Sequence, residues 1–178
     1  MNYFEFFEIP VSFFPDEADL RQRYLKNSKL YHPDFHTLAP AAQQSEVLEK
    51  STLNNQAYLT LADFEKRLKY ILELKGVLEE NKNELPNEFL MEMMDINEAI
   101  MELEFDFDEA VYRDALAKAA DIENELLTAV KPAMESYVDG TSSIASLDIV
   151  KDFFLKKRYL MRIKENLNKF APASKEVH

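Results

Sequence analysis

Apolar residues recur at spacings of three and four along most of this chain, the period of helices with one buried face. The first such stripe is Leu20, Tyr24, Asn27 and Tyr31. Asp16 stands ahead of it as an N-cap, and Pro33 stops it by restricting the residue before it and removing a backbone donor. A short aromatic helix is expected over residues 2–7, with Tyr3, Phe4, Phe6 and Phe7, and Pro10 and Pro15 bracket the loop after it. Beyond a loop over 32–40, the pattern predicts a long helix at 41–62 anchored by Val47, Leu48, Ala57, Tyr58 and Leu61. A further helix follows at 64–75 with Leu68, Ile71 and Leu72, and Gly76 suits the residue just past its end.

Three longer stripes follow. Phe89, Met93, Ile96, Ile100, Leu103 and Phe107 predict a helix over 87–106. Leu116, Ala119, Leu126, Val130 and Tyr137 predict one over 109–138, interrupted by Pro132. Ile149, Phe153, Leu160, Ile163, Leu167 and Phe170 predict one over 146–170, after a turn at Gly140. Heptad-like stripes joined by short turns predict an antiparallel three-helix bundle. Only two glycines occur in 178 residues, and the Gly- and Asn-rich turns of a sheet are missing, so the expected class is all-α.

Charge narrows the possible partners. The net charge of −12 opposes binding to a phosphate backbone, so no nucleic-acid partner is expected. The acids are not evenly spread: residues 79–109 hold twelve acids and one base. Residues 21–30 hold Arg21, Arg23, Lys26 and Lys29 and no acid, a cationic island suited to steering toward an acidic partner. The last helix is also basic, with Lys151, Lys156, Lys157, Arg158, Arg162, Lys164 and Lys169. Its bases are expected to pair with the acidic helices packed beside it, at about 0–1 kcal/mol per exposed pair.

With no cysteine, the chain forms no disulfide and holds no Cys-ligated zinc or cluster, which fits a reducing, cytoplasmic setting. The apolar N-terminal stretch lacks a basic n-region and reads as no signal peptide, and no apolar run is long enough to span a membrane. His32 and His36 stand four apart as a nominal metal pair, but Pro33 breaks the helix that would align them. A di-iron bundle enzyme would need Glu-x-x-His motifs, and none occurs. No metal, cofactor or catalytic residue is expected, and the chain reads as a binding protein rather than an enzyme.

The tripeptide His32-Pro33-Asp34, in the loop after a basic helix, resembles the hallmark of the J-domain. The resemblance implies that His32, Pro33 and Asp34, with Arg21, Arg23, Lys26 and Lys29, contact a DnaK- or HscA-class ATPase chaperone and stimulate its ATP hydrolysis. Phe35 and His36 follow the tripeptide, where many J-domains have a lysine. The aromatic opening 2–7, the Asn55-Gln56-Ala57-Tyr58 run, the Arg67, Tyr70, Ile71, Leu72, Leu74 and Gly76 set, and the Phe89-Leu90-Met91-Glu92 helix start are similar to the HscB family. The J-domain would then occupy 1–76 and a linker 77–87. The client-binding bundle would occupy 88–171, and a frayed tail 172–178.

The helix from Phe89 carries more apolar residues than one core face uses: Leu90, Met91, Met94, Met101 and Phe105, with Asp95, Glu98 and Glu102 beside Met91. Such a flank either widens the bundle core or serves as a partner face. The HscB resemblance implies the second, with an IscU-type iron–sulfur scaffold protein held by Leu90, Met91, Met94, Asp95, Glu98 and Glu102, and by Tyr159 on the last helix. The alternative is a J-domain co-chaperone for a different client.

Overall fold

The computed structural model describes residues 1–78 and 84–171, and every regular element among them is helical. The elements are α1 (Tyr3–Phe6), α2 (Glu17–Leu30), a 3-10 turn (Pro33–His36), α3 (Ala41–Ala62), α4 (Phe64–Leu74), α5 (Asn87–Phe105), α6 (Glu109–Glu135) and α7 (Ile144–Asn168). The expected all-α class holds, and the helix limits fall within a few residues of those the pattern gives. The expected tail at 172–178 and residues 79–83 of the expected linker lie outside the described residues.

Local chemistry accounts for the ends. Asp16 caps α2 by accepting from the Asp19 amide, and Asp63 caps α4 by accepting from that of Lys66, both at 2.9 Å. Asp63 also closes α3, so one carboxylate residue makes the whole corner between the two helices. Gly76 takes φ +66 after α4, and the Val77 amide returns to the Leu72 carbonyl at 3.0 Å. That left-handed residue closes the helix end at no Cβ cost.

The chain forms two compact units, Met1–Leu78 with Met134–Ile144, and Glu79–Ala133 with Ala145–His178. In the first, α2 and α3 make a hairpin, and α1, α4 and the 3-10 turn also pack on α3. Phe4, Phe7, Phe13, Leu20, Ala57, Leu61, Leu68, Ile71 and Leu72 are buried there. Full burial of such a side chain contributes about 1.5–3 kcal/mol. Two polar residues are buried with them. Asn54 on α3 donates to the Tyr24 carbonyl and the Ser28 hydroxyl, pinning α3 to α2 at 3.1 and 3.0 Å. Arg67 donates to the carbonyls of Phe13 and Leu61, and burial lowers its pKa.

Residues 134–144, the end of α6 and the turn that leads into α7, belong to this first unit. Tyr137 is therefore not in a bundle stripe. The helix ends at Glu135, and the Tyr137 ring meets Phe13 edge-on at 5.1 Å. Asp139 accepts from the Tyr137 hydroxyl at 2.9 Å and pairs with Lys75 at 2.5 Å. Lys75 holds the Asp139 carboxyl below the usual carboxylate range.

The second unit is the antiparallel three-helix bundle of α5, α6 and α7. Its core joins Phe89, Met93, Ile96, Ile100 and Leu103 of α5, Tyr112, Ala115 and Ala119 of α6, and Leu160, Ile163 and Leu167 of α7. Of the expected pairings between the basic last helix and its neighbours, Lys164 on α7 bonds Glu123 on α6 at 2.5 Å. Lys156 pairs instead within its own helix, with Asp152 at 2.7 Å.

Three expected core positions are exposed: Leu48, Phe107 and Ile149. Val47 takes the inward position beside Leu48, and Phe107 lies past the end of α5. In the first half of α7 the buried residues are Leu147, Val150, Phe153 and Phe154, a register that leaves Ile149 outside.

Candidate functional site

Two surfaces gather the candidate residues. The first is the tip of the α2–α3 hairpin. Pro33 opens the 3-10 turn, a short element the sequence pattern reads only as loop. The turn is tied at both ends. The His36 ring bonds the Leu30 carbonyl at 3.0 Å, where α2 stops. Gln44 on α3 donates to the carbonyls of Thr37 and Ala39 at 3.1 and 2.8 Å.

Within that frame the His32 ring accepts from the Asp34 amide through Nδ1 at 3.3 Å. The same nitrogen lies 3.7 Å from the Asp34 carboxylate, a pairing that gains charge only when the ring is protonated and the nitrogen no longer accepts. The Asp34 side chain is 83% exposed, so its carboxylate points to solvent as a free acceptor for a guanidinium. The His32 ring caps the turn, so the Asp34 carboxylate is not engaged in capping it.

The cationic set divides. Arg21, Lys26 and Lys29 are exposed on α2. Lys26 and Lys29 flank a shallow groove with Gln22, Leu25 and Leu30. Arg23 is engaged internally: it donates to the Phe7 carbonyl and to Asp19 at 2.9 Å each, with Glu8 at 3.8 Å. Its guanidinium joins the end of α1 to α2.

Sequence reasoning missed the lining beside the tip. A cleft of about 430 Å³ lies against the tripeptide, bounded by Pro33, Asp34, His36, Thr37, Gln44 and Leu48. Leu48 was legible only as an apolar helix position, and the cleft depends on where the 3-10 turn lies against α3.

The second surface is on α5. Leu90, Met91, Met94, Asp95, Glu98 and Glu102 are all exposed, while their neighbours Phe89, Met93 and Ile96 fill the core. The wider-core reading of Met94 therefore fails: Met93 is fully buried and Met94 is 53% exposed. Tyr159 on α7 borders the same helix. Asn97 donates to its hydroxyl at 3.2 Å, and its ring meets Phe89 edge-on at 5.9 Å, with Arg162 over it at 5.7 Å. The structure thus gathers all seven expected residues along α5 and its α7 neighbour. Among the described residues no group of three or more metal-ligating side chains converges. No described helix is long and apolar enough to cross a membrane.

The chain is similar to known proteins. The family described as the HSCB C-terminal oligomerisation domain matches residues 85–168. The human iron–sulfur cluster co-chaperone protein HscB is 31% identical over 171 residues, covering 93% of this chain and 67% of the human protein. A co-chaperone protein HscB homolog of Shewanella amazonensis is 26% identical, covering 90% of this chain and 94% of that protein. The crystal structure of human co-chaperone protein HscB superposes with a TM-score of 0.72 at 29% identity, over 95% of this chain and 81% of the human one. On the strength of the fold, the exposed tripeptide turn and these matches, the chain belongs to the HscB family of co-chaperones.

Proposed function

We propose that this chain stimulates ATP hydrolysis by a DnaK- or HscA-class chaperone and delivers to it an IscU-type iron–sulfur scaffold protein. The chain does no bond-breaking chemistry itself. His32, Pro33 and Asp34 make the chaperone contact, with Asp34 pairing an arginine of the partner. Arg21, Lys26 and Lys29 steer an acidic chaperone face toward the turn, while Arg23 braces the base of α2. Leu90, Met91, Met94, Asp95, Glu98, Glu102 and Tyr159 hold the scaffold.

The observation that carries this reading is the Asp34 carboxylate, exposed on a turn fastened at both ends. A short side chain on a fastened backbone loses little freedom on pairing, so more of the interaction appears as net binding. Two sites on one chain also raise the client's effective concentration at the chaperone without any contact between client and ATPase. The human relative is named for iron–sulfur cluster work, which supports that class of client here.

The test is a double dissociation. Asp34→Asn should abolish stimulation of chaperone ATP turnover and leave scaffold affinity intact. Met91→Ala with Met94→Ala should weaken scaffold affinity by about 10- to 100-fold and leave basal stimulation intact. Stimulation retained by Asp34→Asn would refute the chaperone contact. Unchanged affinity in the double variant would refute the client face and favour a co-chaperone for another client.

A further inference from the structure

The apolar strip on α5 does not end where the scaffold-binding set ends. At about 100° per residue, Leu90, Met101, Met94 and Phe105 fall within one arc of about 60°. The strip therefore runs about 22 Å, to the last residue of the helix. Met101 is 69% exposed and Phe105 is 95% exposed. A single exposed apolar side chain is ordinary, but four aligned ones make a patch of the kind that marks a binding surface.

The charge around this extension is one-signed. Asp95, Glu98 and Glu102 line one border, and Glu104 falls on the other. Where that first border meets α6, the cleft between them also holds Asp114 and Lys118. Lys118 is already paired with Asp114 at 3.1 Å. Beyond Phe105 come Asp106 and Asp108, and the Asp108 carboxylate is directed to the amides that start α6. An apolar ridge with acids along it fits a partner surface whose own apolar ridge is edged with lysine or arginine.

We propose that Met101 and Phe105 form a second anchor for the client, so that its contact spans the whole exposed face of α5. The inference rests on the reading of α5 as the client face. Its partner is the same scaffold, engaged through a basic-edged apolar segment that reaches the α5–α6 corner. Met101 supplies an adaptable contact and Phe105 a large ring that loses little side-chain freedom on burial.

The experiment titrates the full chain with apo IscU-type scaffold protein, comparing Met101→Ser plus Phe105→Ser with Met91→Ala plus Met94→Ala. Both pairs are on the surface, and circular dichroism with a thermal melt reports that the bundle of each variant is folded. The expected result is about a tenfold loss of scaffold affinity for the Met101 and Phe105 pair. Methionine-methyl NMR of the unaltered chain gives a mutation-free readout: the Met101 signal should shift on scaffold addition together with those of Met91 and Met94. Affinity within twofold of the original, or a Met101 signal that stays put while the other two move, would overturn the second anchor and spare the client face. If neither variant pair loses affinity, the client face itself is wrong and the extension falls with it.

Discussion

At the tripeptide turn, four residues of 3-10 helix fix the backbone that carries one exposed carboxylate. Along α5, the recognition groups are spread over an ordinary helix surface from Leu90 to Phe105. The turn depends on specific hydrogen bonds: His36 to the Leu30 carbonyl, Gln44 to those of Thr37 and Ala39, and the Asp34 amide to His32. The strip depends only on which side of a helix each residue occupies, and its shape is made by the core residues beneath it. Position matters most at the turn, and composition matters most along the strip.

The contrast is broken most directly by one methylene. Asp34→Glu keeps the charge but moves it, and a fixed pairing geometry should lose roughly tenfold or more in stimulation of chaperone ATP turnover. Asp95→Glu makes the same change on α5 and should alter scaffold affinity less than about twofold, read by titration. Equal tolerance at both positions would erase the distinction.

Adjacent methionines sharpen it on the α5 side. Met93→Ala removes a fully buried side chain and should cost about 2–5 kcal/mol in denaturant unfolding. Met94→Ala, one residue on, should change stability by less than about 0.5 kcal/mol while weakening scaffold binding. A similar loss of stability at both positions would mean that Met94 belongs to the core.

A smaller effect is expected from the cations near the turn. Lys26→Gln with Lys29→Gln should reduce the rate of chaperone engagement a few-fold at low salt, and the difference should close near 0.5 M salt. Stopped-flow association at two ionic strengths reads this. A salt-independent loss would mean that these lysines make fixed contacts.

The smallest effect concerns residues of neither recognition surface. Burial, helped by Asp139, pushes the Tyr137 phenol up to about 12. A folded-state value raised above the ordinary one contributes stability that is present below about pH 10 and fades as pH climbs toward the raised value. Tyr137→Phe should therefore show a shallower loss of melting temperature between pH 9 and about 11 than the unaltered chain. For Asp139 the sign is reversed: its lowered value contributes stability above the ordinary carboxylate range, which is lost as pH falls through it.

Most helix ends were legible because the residues that make them act locally. Asp16 caps, Pro33 interrupts and Gly76 turns, whatever lies elsewhere in the fold. On α5 periodicity put Met93 in the core stripe, but it left Met94 open between a wider core and a partner face, and its exposure decides. What sequence could not supply was tertiary choice. Leu48 and Val47 are neighbours with equal apolar character, and only the seat of the hairpin decides which is buried. Arg23 read as a surface cation because its acceptor, the Phe7 carbonyl, is sixteen residues away. Tyr137 read as a bundle residue because nothing local tells of Phe13. The 3-10 turn was hidden inside a loop, and with it the cleft that Leu48 shares with the tripeptide.

Steady-state ATP turnover by the partner chaperone, measured with this chain alone, with the scaffold alone and with both, tests the bridging claim most directly. The combined rate should exceed the product of the two separate fold-increases, because one chain brings client and ATPase together. A combined rate no greater than that of this chain alone would contradict it.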